Sequence, residues 1–259
     1  MTYQTLTKEE APASGTEIAL DTEFVAIRQE EFEMNSDGQR HTIRPMVYAL
    51  ARVSVIRASG DNEGVPFIDD YIVSKEPIAD YLTKYSGIVP GDLDPQVSRH
   101  NPVSLKAAYK KLWILLNLGC KFVGHGLRMD FRVTNIQVPK AQIVDTADMF
   151  YIKSTKRKVG LAFLAWYLLK EDIQIATHDS IEDAKMALKL YRKYEEFRRS
   201  DLVDMMLENI YRVGAEMNFK PPAHKQDGQV IQRTETPPIV DGQVIGVSGV
   251  TAGPTTPVR

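Results

Sequence analysis

Residues 18–25, read IALDTEFV, set two acidic side chains into an otherwise apolar run. Residues two apart in a strand face the same side, roughly 6.6 Å apart along its axis, so a strand here would place the carboxylates of Asp21 and Glu23 over one spot. Neighbouring anions repel each other and burial raises their pKa values, unless a cation lies between them. The stretch therefore predicts a strand with a metal site. A solvated edge strand is the alternative, because 34 of 259 residues are acidic and D-x-E is common by chance.

The composition describes a chain that can bury a full hydrophobic core, since 43% of its residues are hydrophobic and 25% are charged. The formal net charge of -2 gives no global basic footprint for nucleic acid, although a carboxylate cluster would cancel a local basic track. The single cysteine, Cys120, lies in an apolar run and predicts a buried thiol in a reducing compartment. No stretch has the length of a signal-peptide core or a membrane span. We therefore expect a soluble, cytoplasmic protein without a membrane partner.

Three runs of strand-forming residues in the first third of the chain predict an antiparallel meander, at 17–25, 46–56 and 65–73. The polar connection between the first two runs contains a turn sequence, Ser36-Asp37-Gly38. Helices then alternate with short strands. Strands are expected at 121–125 and 142–145, and helices at 105–118, around Asp130, at 161–170, and from 180 onward. A meander followed by this alternation predicts an α/β fold, with a mixed sheet flanked by helices.

Cap and boundary residues refine the helices and divide the chain. Ser104 predicts an N-cap and Gly119 a helix stop. Asp179 or Ser180 caps the long helix, and Ser200 is expected to cap a second helix that runs to Gly214. The resulting organisation is a flexible arm at 1–15, a folded domain at 16–198, a C-terminal helical extension at 199–217 and a tail at 218–259. The tail repeats DGQVI at 227–231 and 241–245, but two copies cannot make a repeat fold. We expect it to be disordered, with a linker or docking segment as the alternative.

Two later acidic positions join Asp21 and Glu23 as candidate site residues. Asp130 follows an apolar strand through the glycine-flanked turn GHGLRMDF, and Asp183 follows His178 in HDSIEDA at a helix start. Each has an ordinary explanation when taken alone, because acidic residues in first helical turns complement the helix dipole and a loop histidine is usually solvated.

The motifs occur in the order D-x-E, an aspartate after a later strand, and H-x-x-x-x-D. This order resembles the histidine-containing branch of the DEDD superfamily of 3′-5′ exonucleases, over about residues 16–198. Six further stretches are similar to the family of catalytic subunits of the poly(A)-nuclease (PAN) deadenylation complex: DTEFV, YSGIVPGDLDP, FVGHGLRMDFR, VDTADMFY, FLAWYLLKEDIQ and THDSIEDA. The resemblance implies a ribonuclease-H-like fold. It covers the nuclease part of that family, and its N-terminal β-propeller and inactive ubiquitin-hydrolase-like domain have no counterpart in these residues.

The activity implied by the resemblance is metal-dependent 3′-5′ exoribonuclease action that shortens mRNA poly(A) tails and releases 5′-AMP. Two divalent ions, Mg²⁺ or Mn²⁺, suit four carboxylates with few other ligands. In this interpretation Asp21 bridges the two ions, Glu23 and Asp183 complete the first site, and Asp130 holds the second. His178, with an unperturbed pKa of about 6.5, takes a proton from the attacking water as general base.

The RNA contacts are predicted from single-strand recognition, in which bases stack on aromatic or apolar side chains and basic residues pair with phosphates. The candidates are Phe24, Ser86 with its neighbours Tyr85, Gly87 and Ile88, Leu127 and Phe131. Core packing is the alternative for the two phenylalanines. A basic run at 153–158 is either a phosphate contact or a solvated surface. We expect Trp113 and Trp166 to lie in the core, and His125 to be structural.

Single-stranded poly(A) RNA is the substrate implied by the resemblance, with a regulatory-subunit homodimer and poly(A)-binding protein as partners that act through domains outside these residues. Two other functions stay open: a general oligonucleotide or DNA exonuclease of the same superfamily, and an inactive RNA-binding or scaffold module. The intact carboxylate quartet argues against the inactive module, because each carboxylate raises the cost of ionising the next.

Overall fold

A mixed sheet forms the centre of the protein in the computed structural model, which describes residues 3–226, 229–231, 239–240 and 243–244. The first seven strands are β1 (Glu17–Arg28), β2 (Glu31–Met34), β3 (Arg40–Arg44), β4 (Val47–Arg57), β5 (Pro66–Tyr71), β6 (Lys121–Gly124) and β7 (Ile143–Asp145). The central sheet has the order β5-β4-β1-β6-β7. β1 pairs antiparallel with β4 and parallel with β6, so the predicted meander and the predicted mixed sheet are both confirmed.

Helices cover both faces of the sheet. They are α1 (Thr83–Ser86), α2 (Leu105–Asn117), α3 (Arg128–Val133), α4 (Thr146–Met149), α5 (Leu161–Leu164), α6 (Ser180–Arg199) and α7 (Val203–Glu216). On one face, Leu112 and Leu115 of α2 pack with Ile18 and Leu20 of β1. On the other face, α6 packs against the alternate residues of the sheet, among them Ala19, Ile56 and Val123. The alternation follows from the period of two in a strand, and it places Asp21 and Glu23 on the α6 face.

The predicted helix boundaries are mostly confirmed. The Ser104 side chain accepts a hydrogen bond from the Ala107 backbone N–H at the start of α2, and Asp179 caps α6. Ser200 is not the N-cap of α7; it ends α6, and α7 starts after Leu202 without a side-chain cap. The helix predicted at 161–170 is α-helical only over α5, and the chain continues as a π-helical turn, Ala165–Leu169.

The connection after β1 contains a hairpin that the sequence reasoning missed. β2 and β3 pair antiparallel around the predicted turn, where the Asn35 carboxamide oxygen accepts hydrogen bonds from the backbone N–H groups of Asp37 and Gln39. Every residue of β2 is exposed. β2 (EFEM) alternates charged and apolar residues, but β3 (RHTIR) does not and no face of the hairpin is buried, so the two strands lack the matched alternation that identifies a half-buried hairpin.

The N-terminal segment, predicted to be a flexible arm, is instead bound to the domain. The buried guanidinium of Arg57 donates to the carbonyls of Gln4 and Thr5 and forms an ion pair with Glu10. The Gln4 backbone N–H also donates to the Pro66 carbonyl at 3.0 Å. A buried guanidinium requires acceptors, and this segment supplies them.

The apolar side chains give one confirmation and one correction. Cys120 is fully buried, as predicted. Trp113 is 42% exposed and is not a core residue; it lies on the outer side of α2, one position after the buried Leu112. Trp166 is half-buried and packs against a cluster formed by α5, α6 and α7, which includes Phe163, Leu190 and Ile210.

The predicted tail is only partly described. It contains two short antiparallel ladders, β8 (His224–Gln226) with β9 (Gln229–Ile231), and β10 (Ile239–Val240) with β11 (Gln243–Val244). The two copies of DGQVI supply β9 and β11. The rest of the tail lies outside the described residues, so its disorder stays a prediction. In the described part of the chain, no helix combines the length and the apolar character that crossing a membrane requires.

Candidate active site

The candidate site begins on β1, where Asp21 and Glu23 face α6. Glu23 is 5% exposed and Asp21 is half-buried. Their partners across β4 are Ser54 and Arg52. The pairing with β4 shifts register directly after Glu23, as it does at a β-bulge, a feature common beside active sites.

Asp130 reaches the site from α3. Since β6 runs parallel to β1 with Val123 opposite Ala19, the chain leaves β6 beside Asp21 and turns into α3. Asp130 is 6% exposed, and its Oδ1 accepts a hydrogen bond of 2.5 Å from the Thr22 hydroxyl. The side chain is therefore fixed to the same strand that carries the D-x-E pair.

The remaining predicted residues lie at the start of α6. Asp183, in the first turn, is 5% exposed, and its Oδ2 accepts a hydrogen bond of 2.7 Å from the Gln174 carboxamide. His178 precedes the helix, with Nδ1 3.6 Å from Asp183 Oδ2 and a side chain that is 10% exposed. All five predicted site residues thus come together at one end of the sheet.

Burial and mutual repulsion shift the pKa values of this group. Burial, together with the charges of Asp183, Glu23 and Asp130, raises the pKa of Asp21 well above its usual range. Burial and the charge of Asp183 do the same to the pKa of Glu23. Burial raises the pKa of Asp183 to about 8, and that of Asp130 to about 6, where the Thr22 hydrogen bond opposes the rise. Burial lowers the pKa of His178 to about 4, so this imidazole is neutral at pH 7.

The donor set fits a divalent cation. Among the described residues, the buried side-chain atoms without a hydrogen-bond partner are Glu23 Oε1, Asp183 Oδ1 and His178 Nε2. An unsatisfied buried polar atom costs about 1–3 kcal/mol, and these three all belong to the predicted site. Carboxylate oxygens are the ligands that Mg²⁺ and Mn²⁺ prefer.

These groups are not drawn together as a finished coordination sphere. In the part of the chain that the structure describes, no three Asp, Glu, His or Cys side chains already form a metal-binding set. Asp130 and Asp183 each direct one oxygen to a hydrogen bond with Thr22 and Gln174, and repulsion separates carboxyl groups that no cation holds together. Binding of an ion would therefore require side-chain rotation within the site.

A family model described as exonuclease matches residues 18–191, more than half of the chain. The chain belongs to the exonuclease family. Membership implies dependence on a divalent metal, in agreement with the acidic cluster.

Curated relatives of this exonuclease chain are catalytic subunits named PAN2 of the PAN2-PAN3 deadenylation complex. The protein from Chaetomium globosum is 65% identical over 237 residues, which are 91% of this chain and 21% of the relative. The protein from Neurospora crassa is 56% identical over 245 residues, 92% of this chain and 19% of the relative. The chain therefore spans about a fifth of the length of the curated relatives it matches.

Solved structures confirm the predicted ribonuclease-H-like exonuclease fold. The Neurospora crassa Pan2 catalytic unit, comprising protease and nuclease domains, matches with a TM-score of 0.71 and 55% identity, over 81% of this chain and 32% of that one. The Saccharomyces cerevisiae Pan2 pseudoubiquitin hydrolase-RNA exonuclease module, in complex with A7 RNA, matches with a TM-score of 0.76 and 45% identity, over 86% of this chain and 35% of that one.

We expect the Mn²⁺ affinity of the exonuclease chain to rise with pH. The pKa of Asp183, about 8, means that the metal-free site holds a proton at neutral pH, and a carboxyl group must lose its proton to bind a cation. One proton released per ion gives an affinity gain of about tenfold per pH unit below pH 8. Calorimetric titration with MnCl₂ at pH 6, 7 and 8, in buffers of different ionisation enthalpy, measures the affinity and the number of protons released. A constant affinity with no proton release would contradict the raised pKa values.

Residues 81–88, defined here as the histidine-facing loop, pack against His178. Its side chains bond to its own backbone: the Ser86 hydroxyl donates to the Tyr81 carbonyl and Thr83 donates to the Ile88 carbonyl. The Tyr85 ring meets the His178 imidazole edge-on, with 6.1 Å between centroids. Gly87 has φ +65°, and a Cβ there would lie 2.6 Å from the His178 carbonyl oxygen. The loop therefore lies close to the backbone of the histidine as well as to its ring.

Gly87→Ala should lower both stability and activity. An alanine at positive φ destabilises the fold by about 1–2 kcal/mol. Each kcal/mol lowers Tm by about 2–4 °C in a domain of this size. The close contact with the His178 carbonyl adds to the loss of stability. Gly126→Ala is the matched control, since Gly126 has φ +80° but nothing within 4 Å of the added Cβ. Thermal unfolding and single-turnover RNA cleavage should show a larger loss for Gly87→Ala. Equal losses in both variants would show that only backbone strain is at work.

The predicted RNA contacts divide into two groups. Phe24 and Phe131 are half-buried and pack against the core, so each keeps an exposed part for a base. Leu127 is 1% exposed within the core and has no free face. Ser86 is 3% exposed, and its hydroxyl is bonded within its loop. RNA contact by the side chains of Leu127 and Ser86 does not fit these positions, because a stacking surface has to reach solvent.

The two remaining predictions concern basic and histidine side chains outside the cluster. In the run at 153–158, Lys158 pairs with Asp148 at 2.6 Å and the Arg157 guanidinium lies 4.3 Å from the Phe219 ring centroid. His125 lies beside the Thr146 hydroxyl, with Nδ1 2.9 Å from Oγ1, and burial lowers the pKa of this histidine to about 4. It links the end of β6 to the start of α4.

Several residues that shape the site were not identified from the sequence. Gln174 and Thr22 orient two of the carboxyl groups, and Arg52 lies opposite Glu23. Of these, Arg52 left a signal, because an arginine inside the apolar run VYALARVSVIR is unusual in a buried strand. Gln174 left none, since its role depends on how the loop before α6 folds.

Proposed function

We propose that the chain is the exonuclease domain of a deadenylase, a metal-dependent 3′-5′ exoribonuclease that shortens mRNA poly(A) tails and releases 5′-AMP. The observation that carries the proposal is the convergence of four carboxyl groups and His178 at one end of the sheet, with three buried unpartnered atoms among them. Poly(A) as the substrate is supported by 65% identity to a PAN2 catalytic subunit and by the likeness to a Pan2 module in complex with A7 RNA.

Asp21, Glu23, Asp130 and Asp183 would hold two divalent ions, Mg²⁺ or Mn²⁺. When bound, such ions compensate the charge that develops on the attacking and leaving oxygens of the phosphodiester. Thr22 and Gln174 hold Asp130 and Asp183 in the metal-free arrangement through hydrogen bonds of 2.5 and 2.7 Å, from which these side chains would rotate to bind an ion.

His178 would act as the general base. Its lowered pKa of about 4 leaves the imidazole neutral at working pH, so it can accept a proton from the attacking water at Nε2, the nitrogen without a partner. Asp183 Oδ2, 3.6 Å from Nδ1, would stabilise the imidazolium that forms. Proton transfer by a positioned side chain contributes about 10²–10⁴ in rate.

The RNA would be held by the aromatic side chains around the acidic cluster. Phe24, Phe131 and Tyr85 are half-buried, which combines a fixed ring position with an exposed face for a base. A regulatory subunit of the PAN2-PAN3 type and poly(A)-binding protein are the proposed partners, acting mainly through domains outside this chain, and the cytoplasm is the proposed location.

The test incubates the chain with a 5′-labelled RNA that ends in twenty adenosines, in Mg²⁺ or in EDTA, and resolves the products on a gel. We expect a Mg²⁺-dependent ladder that shortens from the 3′ end and slows at the first residue other than adenosine. Equal degradation of A, U and C homopolymers would favour a general exonuclease. Binding without shortening, in either buffer, would favour an inactive RNA-binding module.

A further inference from the structure

The face of the sheet that carries Asp21 and Glu23 continues outward as two polar rows. Residues paired across antiparallel strands have side chains on the same face. Across the sheet from Asp21, the next residue is Ser54 on β4, and the one after it is Asp69 on β5. Glu23 is followed in the same way by Arg52 and Tyr71. The first residue of each row belongs to the candidate site, and the function proposed above assigns no role to the outer residues.

The outer residues bind the start of α6. Arg52 Nη1 donates to Asp179 Oδ2 at 3.2 Å, and the hydroxyls of Ser54 and Ser180 lie 2.7 Å apart. Asp179 and Ser180 are the two residues that follow His178, within one helical turn of Asp183. The contacts of β4 with α6 are thus made next to the two site residues that α6 supplies.

Asp69 joins the two contacts into one network. Its Oδ1 accepts from Arg52 Nε at 2.7 Å and from the Ser54 hydroxyl at 3.0 Å, and its Oδ2 accepts from Arg52 Nη2 at 3.2 Å. A serine hydroxyl has one proton to donate. Because Ser54 donates to Asp69, the Ser180 hydroxyl must donate to Ser54. The two hydroxyls therefore donate in one direction, from Ser180 to Ser54 and from Ser54 to Asp69.

The network is buried on the sheet side and at the contact between Ser54 and Ser180, whereas the Asp179 side chain that accepts from Arg52 is 53% exposed. Ser54 and Ser180 are fully buried and Arg52 is 7% exposed. The Tyr71 ring lies over the guanidinium at 5.0 Å and is itself stacked on His100 at 3.8 Å. Away from water, hydrogen bonds to charged groups are strong and their loss is costly. These contacts can therefore hold α6 in a defined register on the sheet.

We propose that Arg52 is a positioning residue, which acts through Asp179 to set His178 and Asp183 against Asp21 and Glu23. Arg52, Ser54, Asp69, Asp179 and Ser180 together are named the α6 anchor. The inference rests on the proposed function, because it assigns the anchor to the same carboxylate site. The guanidinium is suited to this role because its planar fork holds Asp69 with two nitrogens while a third reaches Asp179, whereas a lysine ammonium has no such geometry.

Arg57 offers a matched control on the same strand. It is 6% exposed, and its fork pairs with Glu10 while Nη2 also donates to two backbone carbonyls. Both Arg57→Lys and Arg52→Lys therefore keep the positive charge and remove a buried guanidinium that binds a carboxylate with two nitrogens. Only Arg52 contacts α6, so the two variants separate general destabilisation from loss of the anchor.

The experiment measures Mn²⁺ affinity by calorimetry without RNA, kcat and KM on an A20 substrate, and Tm. Arg52→Lys should weaken Mn²⁺ binding and lower kcat by about 10- to 100-fold each, the usual effect of losing a residue that orients metal ligands, with KM within about twofold of wild type. Arg57→Lys should lower Tm and leave Mn²⁺ affinity and kcat unchanged. Ser54→Ala, which breaks the second contact with α6, should give a smaller loss in the same direction and serves if Arg52→Lys fails to fold.

Wild-type Mn²⁺ affinity and kcat in a folded Arg52→Lys or Ser54→Ala variant would overturn the inference. Equal losses in Arg57→Lys would also overturn it. Failure of the proposed function has a different signature: a wild-type chain that binds Mn²⁺ but leaves A20 intact would refute poly(A) cleavage. The Mn²⁺ titration measures the effect of the α6 anchor on metal affinity without RNA, so its result does not depend on the substrate.

Discussion

Asp21→Asn should abolish RNA shortening while the protein stays folded. The substitution keeps the shape of the side chain and removes one negative oxygen from the centre of the carboxylate cluster. Metal ions contribute several kcal/mol to phosphodiester cleavage, and each 1.36 kcal/mol is a factor of ten in rate. We therefore expect a loss of at least about 10³-fold, measured as the single-turnover rate on A20 RNA in saturating Mg²⁺.

The same variant should not lose stability in EDTA. The pKa of Asp21 is raised in the folded state by burial and by three neighbouring carboxyl groups, so between the unfolded and folded pKa values the native state binds more protons than the unfolded state. Stability then falls as pH rises through this window, and asparagine removes that loss. The Tm of the variant at pH 7.5 should equal or exceed that of wild type, and the difference should disappear near pH 4.

The matched control is Asp70→Asn on β5. Asp70 is 8% exposed, and its carboxylate accepts two hydrogen bonds of 2.8 Å from Lys111. This variant should lose stability and retain activity, the reverse of Asp21→Asn. An Asp21→Asn protein much less stable than wild type in EDTA would show that Asp21 is a structural carboxylate and would contradict the metal site.

His178→Ala should slow the chemical step by about 10²–10⁴-fold and leave Mn²⁺ affinity close to that of wild type. A neutral imidazole with a free Nε2 suits proton transfer, and a hard cation with carboxylate ligands gains little from an imidazole. Single-turnover rates test the first expectation, and calorimetry tests the second. Added imidazole should restore part of the rate, because it can occupy the space left by the side chain.

His41→Ala provides the comparison for that variant. His41 lies on the exposed hairpin of β2 and β3, so its loss should leave both measurements unchanged. If His178→Ala lost Mn²⁺ binding together with activity, the histidine would be a metal ligand and its assignment as general base would be wrong.

The fold and the convergence of the five candidate site residues could be predicted because their signals are local. The D-x-E pair, the capped start of α6 and the glycine turn before α3 each occupy a few consecutive residues, and strand and helix periodicities place those segments on a sheet and its flanking helices. The order of the motifs then identified the family. Spatial convergence followed from the topology, in which β6 leaves the sheet beside Asp21.

The features that were missed depend on contacts between distant parts of the chain or on exposure. Arg52 and Asp179 lie 127 residues apart in the sequence, and no local pattern pairs them. Trp113 and Leu127 were judged by residue type, yet the first is exposed and the second is buried, because the exposure of each depends on which other elements pack around it. The arm at residues 3–15 could not be recognised as bound, since its main attachment is the side chain of Arg57.

The dispersion of the site along the chain has a consequence for biosynthesis. Asp21 and Glu23 leave the ribosome before Asp130, and the histidine and the fourth carboxylate arrive later still, at the start of α6, whose first residue is Ser180. Domains fold as units as they emerge, and the central strand β1 must also wait for β6 as a neighbour. A nascent polypeptide that ends before α6 lacks the fourth carboxylate of the site. Under the proposed function, the unfinished protein would therefore leave intact the message from which it is being translated.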